Sequence, residues 1–185
     1  TSGKETRFGY HVNAGRLQTD GFRPHNDFSG NNAYAKLTYD VTKDTRLLFT
    51  MGHDKLSRGV VEVPSGPVPY FENNSQETFR WSVAADSSIN NETGVNISFW
   101  QMRQTYNFTL YESSSGQELS NLRQNFTDKG YGSSAKLFWK RESHNVVLGA
   151  ESDVKTLRSD TLTSSEQKLT KIAFFFNDTM SFDRV

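Results

Sequence analysis

The chain has no cysteine. No disulfide framework and no thiolate metal site can therefore be built, and a small bridge-stapled secreted module is disfavoured. It has no run of about 18 apolar residues, so no transmembrane helix can form. That absence leaves membrane strands open, because each carries only about ten alternating residues. The charges cancel, with 21 basic and 21 acidic residues, so no net positive field draws nucleic acid. Apolar residues make up only 34%, and mean hydropathy is −0.69, which is little for a packed core of this length. Helical periodicity never persists beyond a turn or two. Proline is also scarce, and three of the four prolines, Pro64, Pro67 and Pro69, fall in one stretch.

What is present is aromatic. Phe, Tyr and Trp make up 13% of the chain. Few aliphatics with many rings fit strands with an aromatic-rich face, and do not fit a disordered chain. The clearest alternation runs from Ala33 to Val41. Ala33, Ala35, Leu37, Tyr39 and Val41 occupy one parity; Tyr34, Lys36, Thr38 and Asp40 occupy the other. That is a strand with one apolar face. The turn Thr42 to Thr45 leads into a second alternating strand ending near Asp54. Asp and Thr form turns readily.

The same pattern recurs along the chain. The first strand is expected over Glu5 to Leu17, with Phe8, Tyr10, Val12 and Ala14 on one face. Further strands are expected at Glu77–Ser87, from Thr93, at Phe126–Lys140, at Asn145–Leu157 and at Lys168–Asn177. Another would begin at Ser181. In the strand from Thr93, Val95, Ile97 and Phe99 share one parity. Trp100, Met102, Tyr106, Phe108 and Leu110 share the opposite one. A bulge near Trp100 or Gln101 would reconcile them. Short turns are expected at 42–45, 88–92 and 141–144. Long polar connections are expected at Asp20–Asn32, Leu56–Gln76, Glu112–Gln124 and Arg158–Gln167. Short turns at one end and long loops at the other mark outer-membrane barrels. A β-sandwich would mix loop lengths at both ends. The barrel reading requires Leu37 and Tyr39 to lie uncovered by any second layer.

Four pieces in order resemble the barrel of TonB-dependent outer-membrane receptors of the cobalamin and siderophore type. They are Thr19-Asp20-Gly21-Phe22-Arg23 with Ala35-Lys36-Leu37-Thr38-Tyr39, then Ser65-Gly66-Pro67, then His144-Asn145-Val146-Val147-Leu148-Gly149-Ala150-Glu151, then Ile172-Ala173-Phe174-Phe175-Phe176-Asn177-Asp178. The resemblance implies an all-β, antiparallel up-and-down transmembrane barrel. Such receptors close about 22 strands around a plug, and this chain would supply roughly eight of them and no plug. It also implies partners: outer-membrane lipid, a small nutrient such as a siderophore or cobalamin, and the TonB complex, reached through the plug. Arg7, His11, Asn13, Lys36, Thr38, Asp40 and Arg80 would then face plug or lumen.

Candidate sites are sparse. Arg58, Tyr70 and Phe71 flank the proline-bearing loop, and aromatics with arginine suit ligand capture at a receptor mouth. Asp20, Asn26 and Asp27 crowd one loop and are candidate oxygen ligands for calcium. The cobalamin branch of the family is known for loop carboxylates that hold calcium, but this loop is shorter, has fewer acids and no EF-hand pattern, and reads equally as a solvated turn. His11, His25, His53 and His144 have no metal-ligand spacing. Six Asn-x-Ser/Thr triplets, at Asn73, Asn91, Asn96, Asn107, Asn125 and Asn177, reflect composition rather than glycosylation. No Ser-His-Asp order, catalytic carboxylate pair or phosphate loop is present, so no enzyme is expected. Two other readings stand beside transport. One is a complete eight-stranded structural or adhesive barrel, closed between the Phe8 and Phe174 strands. The other is a soluble β-sandwich binding module.

Overall fold

The computed structural model describes residues 1–22, 26–63, 70–112, 123–160 and 166–180, except the side chains of 61–63, 70, 71 and 112. Nine strands form one antiparallel sheet in strict sequence order. They are β1 (Ser2–Glu5), β2 (Phe8–Thr19), β3 (Phe28–Asp40), β4 (Thr45–Val63), β5 (Tyr70–Ser88), β6 (Thr93–Glu112), β7 (Gln124–Arg141), β8 (His144–Ser159) and β9 (Glu166–Met180). Each strand pairs only with its sequence neighbours, and among the described residues no ladder joins β1 to β9. The eight-stranded closed barrel is thereby overturned, since it needs that ladder. The sandwich is overturned as well, because the described residues form no second sheet. Tyr39 is 46% exposed rather than covered.

Nine strands replace the expected eight because Glu5–Leu17 is not one strand. Thr6 takes a φ of 49° and reverses the chain, and Ser2–Glu5 pairs back on Phe8–His11. Arg7 therefore sits in a turn, where its carbonyl accepts from the Asp40 amide at 2.8 Å. Glu142 does the same between β7 and β8 with a φ of 50°. Two-residue hairpin turns call for positive φ, and neither residue is the glycine that would announce one.

The expected bulge at Trp100 is absent. β5 and β6 pair without a break from Ser88↔Gly94 to Tyr70↔Glu112, and β6 and β7 from Thr93↔Trp139 to Phe108↔Gln124. Trp100, Met102, Tyr106, Phe108 and Leu110 thus remain on the opposite face from Ile97 and Phe99. The long connections are also shorter than expected. Much of Leu56–Gln76 continues the β4–β5 ladder, as Leu56↔Gln76, Arg58↔Asn74 and Val60↔Glu72, with a register shift before Val63↔Tyr70. The register shift lies beside the prolines, which cannot donate to a ladder. Residues 23–25, 64–69, 113–122, 161–165 and 181–185, including the expected strand from Ser181, lie outside the described residues.

Candidate functional site

Register divides the sheet into two chemically distinct faces. On one face Phe8, Tyr39 and Leu47 stand in a row, as do Tyr10, Leu37 and Phe49. The row continues from Phe49 to Val83 to Phe99. Further along, Leu137 faces Leu148, which faces Phe176. These side chains are exposed to the surroundings: Tyr10 41%, Ile97 57%, Leu148 46% and Phe176 66%. Among the described residues hardly any side chain qualifies as core, and the buried hydrophobic there is Leu110, at 7%. A sheet with a continuous, uncovered apolar band needs a non-aqueous neighbour. Rings mark the edges of the band. Phe8, Tyr39 and Trp139 lie toward the short turns; Phe79, Trp81 and Tyr131 lie toward the long connections. The Trp81 ring packs 5.4 Å from Phe99, and its Nε1–H donates to Gln101 at 3.0 Å.

The other face is polar and cross-linked. Thr50 and Ser82 hydroxyls meet at 2.7 Å, and Ser98 and Ser134 at 2.8 Å. Arg80 pairs with Asp54 at 3.1 Å, Lys171 with Glu151 at 2.7 Å, and Asn96 donates to Asp86 at 2.6 Å. Asp40 joins Arg46 and Lys4 near the short turns. Of the residues expected on this face, His11, Asn13, Lys36, Thr38, Asp40 and Arg80 stand on it, and Arg7 lies in the turn between β1 and β2, opposite Asp40. Toward the long connections the polar face turns aromatic. Trp100, Met102, Tyr106 and Phe126 line it, and the Tyr106 and Phe126 rings lie 6.2 Å apart.

Strand length accounts for the change of character. β4 and β5 each have 19 residues and β6 has 20. At about 3.4 Å per residue and a tilt near 45°, such strands rise roughly 45 Å, well beyond a lipid band of about 25 Å. The excess lies on the long-connection side of the apolar band.

There, Asp160 binds the start of β7. Its carboxylate accepts from the Asn125 amide at 3.0 Å and from Asn125 Nδ2 at 3.0 Å. The backbone hydrogen bond from Asn125 holds the Asp160 carboxyl below the ordinary carboxylate range. Asn96 and Asn125, two of the six triplet asparagines, thus serve as cross-strand hydrogen-bonding groups. His53 meets Glu77 at 2.9 Å and His144 meets Asp178 at 2.9 Å. Both contacts join diagonal positions on adjacent strands, which spacing along the chain does not signal.

The sequence-derived candidates are dispersed. Arg58 is exposed on the polar face near the top of β4, in register with Asn74 and Phe28. The backbones of Tyr70 and Phe71 open β5, and their side chains lie outside the described residues. Asp20 and Asp27 are exposed, and Asn26 is half-buried where its carbonyl crowds Gly21, whose φ is 75°. The Asp27 carbonyl accepts from the Gly59 amide at 2.8 Å. Among the described residues no three His, Asp or Glu side chains gather as metal ligands.

This sheet has the fold of a section of transmembrane barrel wall. It superposes on the copper transporter OprC with a TM-score of 0.76 at 13% identity, over 96% of this chain and 32% of that one. The ferric citrate transporter FecA in its unliganded form matches with a TM-score of 0.55 at 12% identity, over 90% of this chain and 29% of that one. The chain thus spans about a third of the transporters it matches. No protein-family model matches the sequence, and no curated protein does.

Proposed function

We propose that this chain is barrel wall of a bacterial outer-membrane receptor that takes up a metal or metal chelate, cobalamin or a similar nutrient, driven through TonB. The observation that carries the reading is the pairing of two faces: an uncovered apolar band with aromatic edges, and a polar, hydrogen-bonded reverse side. The apolar band contacts lipid. The reverse side faces the lumen and plug. The short turns are periplasmic, and the long connections are external. The chain itself is non-catalytic: it supplies wall and mouth. Arg58, with the Tyr70 and Phe71 segment, gathers ligand at the external end. Likeness to metal transporters supports a metal-containing cargo.

Because the sequence lacks cysteine, single reporters can be placed at will. A fluorophore on cysteine at Leu37, Phe49, Val83 or Ile97 is expected to be quenched by bilayer lipids brominated on their chains. One at Thr38, Thr50 or Ser82 is expected to respond to aqueous quencher instead. Equal quenching on both parities would sink the reading.

A further inference from the structure

We propose that Arg58 and Asn74 form one site for a carboxylate of the ligand, in which Asn74 is the positioning residue for the guanidinium. The site belongs to the reading above, on which Arg58 gathers ligand, and depends on it. On the polar face, Asn74 is only 6% exposed, and its Oδ1 is buried without a hydrogen-bond partner. A buried carbonyl oxygen left unpaired is costly, and native structures keep few of them. Register fixes its neighbours. Asn74 stands beside Arg58 of β4 on one side and Phe108 of β6 on the other, and Phe28 of β3 stands beyond Arg58. The row across the sheet is therefore ring, cation, buried amide, ring. Arg58 is exposed, and among the described residues its guanidinium has no ion-pair or hydrogen-bond partner.

An acceptor without a donor thus stands next to a cation without an acceptor. Register partners lie about 5 Å apart, within reach of an arginine side chain. Hydration keeps the two from meeting: a guanidinium whose charge is uncompensated stays in water rather than fold onto a buried carbonyl. A carboxylate changes that balance. It neutralises the guanidinium and takes two parallel N–H groups from one edge of the planar fork. The remaining N–H groups then turn to the Asn74 Oδ1, so the bound anion and the amide hold one guanidinium between them. Phe28 and Phe108 flank the pair, and low-dielectric surroundings strengthen both contacts. The ligand group that suits this row is a carboxylate on a flat apolar body, which the flanking rings accommodate. A neutral amide of the same shape cannot draw the guanidinium down.

Benzoate and its uncharged isostere benzamide test this by NMR on the whole protein in detergent, with its arginines labelled at the guanidinium nitrogens. Affinities come from the probes' own signals, so they stay readable when Arg58 is replaced. Benzoate is expected to shift the Arg58 Nε–H signal, and to bind at least about tenfold tighter than benzamide. Asn74→Leu removes the unpaired oxygen at similar size. It is expected to weaken benzoate about tenfold, the loss of one charge-assisted hydrogen bond, yet to leave the urea unfolding midpoint at or above wild type. Asn74→Asp is expected to weaken benzoate as well, because its own carboxylate then claims the guanidinium. In an Arg58→Ala background, Asn74→Leu is expected to change benzoate affinity by less than about twofold, since nothing is left to position. An Arg58 signal that ignores benzoate, equal binding of the two probes, or unchanged benzoate affinity in Asn74→Leu would each overturn the site. So would a joint fall of affinity and unfolding midpoint in Asn74→Leu, which is what a merely structural role produces. Benzoate affinity untouched by Arg58→Ala would instead overturn the capture role of Arg58 beneath it.

Discussion

Trp100 lies across Gly132. A methyl group at Gly132 would meet the Asp153 carboxylate first, and would stand 2.7 Å from the indole Nε1 and 2.8 Å from the Ser152 carbonyl oxygen. The indole also covers Gly130, where an added Cβ would meet ring carbons at 3.1 and 3.2 Å. The ring, on the polar face, therefore covers the next strand because two glycines leave it room. Gly132→Ala is expected to destabilise the folded protein by about 1–3 kcal/mol, the cost of overpacking. Adding Trp100→Ala is expected to recover only part of that loss, since the Asp153 carboxylate and the Ser152 carbonyl stay in place. Urea unfolding of the two single variants and the double variant reads the coupling. Full additivity would contradict the contact.

Phe49 and Thr50 are neighbours with opposite surroundings. Phe49 stands between Leu37 and Val83 on the apolar face, proposed to meet lipid, while Thr50 meets Ser82 at 2.7 Å on the other. Phe49→Lys is expected to cost about 2–4 kcal/mol of folding free energy in liposomes, as a cation placed on the lipid face. Thr50→Lys is expected to cost about 1 kcal/mol, chiefly the lost hydrogen bond. Reversed costs would place lipid on the wrong side of the sheet.

These two residues also show how far sequence reasoning reaches. Alternation over Ala33–Val41 and the turn at Thr42–Thr45 are local patterns, and both faces of β3 and β4 follow from them. The rule that one face of a strand is apolar holds only inside the bilayer. On the proposed membrane reading the strand leaves the lipid band past Trp100, so the apolar residues change side and imitate a bulge. The turn at Thr6 is invisible because a threonine with positive φ has no turn signature. The juxtaposition of Arg58 and Asn74 is invisible for another reason. The proline-bearing stretch separates the two in the chain, and only strand register brings them together. Arg58 was recognisable because it adjoins the proline-bearing loop, which punctuates the sequence.

Arg58 is exposed on the polar face, at the long-connection end of β4. If it gathers an anionic chelate, Arg58→Ala removes a charged hydrogen bond worth about 1.5–3 kcal/mol, or roughly 10- to 100-fold in affinity. Lys55→Ala, on the lipid-face parity of the same strand, is expected to leave uptake unchanged. Whole-cell uptake curves are expected to show a raised half-saturation concentration at unchanged maximal rate. A fall in maximal rate alone would assign Arg58 to assembly rather than capture.

Asp160 predicts a local acid sensitivity at the external rim. Its carboxyl is held below its ordinary value of 3.8, first by the backbone hydrogen bond from Asn125. A depressed carboxylate contributes stability that is fully present well above that ordinary value. The contribution shrinks as pH drops below 3.8, and it is gone once pH has passed below the folded value. The group is fully exposed, so the effect is confined to the junction of β7 and the β8–β9 connection. Hydrogen exchange at the Asn125 amide, compared between wild type and Asp160→Asn at each pH, isolates the contribution. Above about pH 5 the wild type is expected to be the better protected, because the charged carboxylate accepts from both the amide and Nδ2 of Asn125. Below the folded value the two proteins are expected to converge, since a protonated carboxyl and an amide are then similar acceptors. A difference that persists unchanged into strong acid would mean that packing, not the carboxylate charge, holds this end of β7.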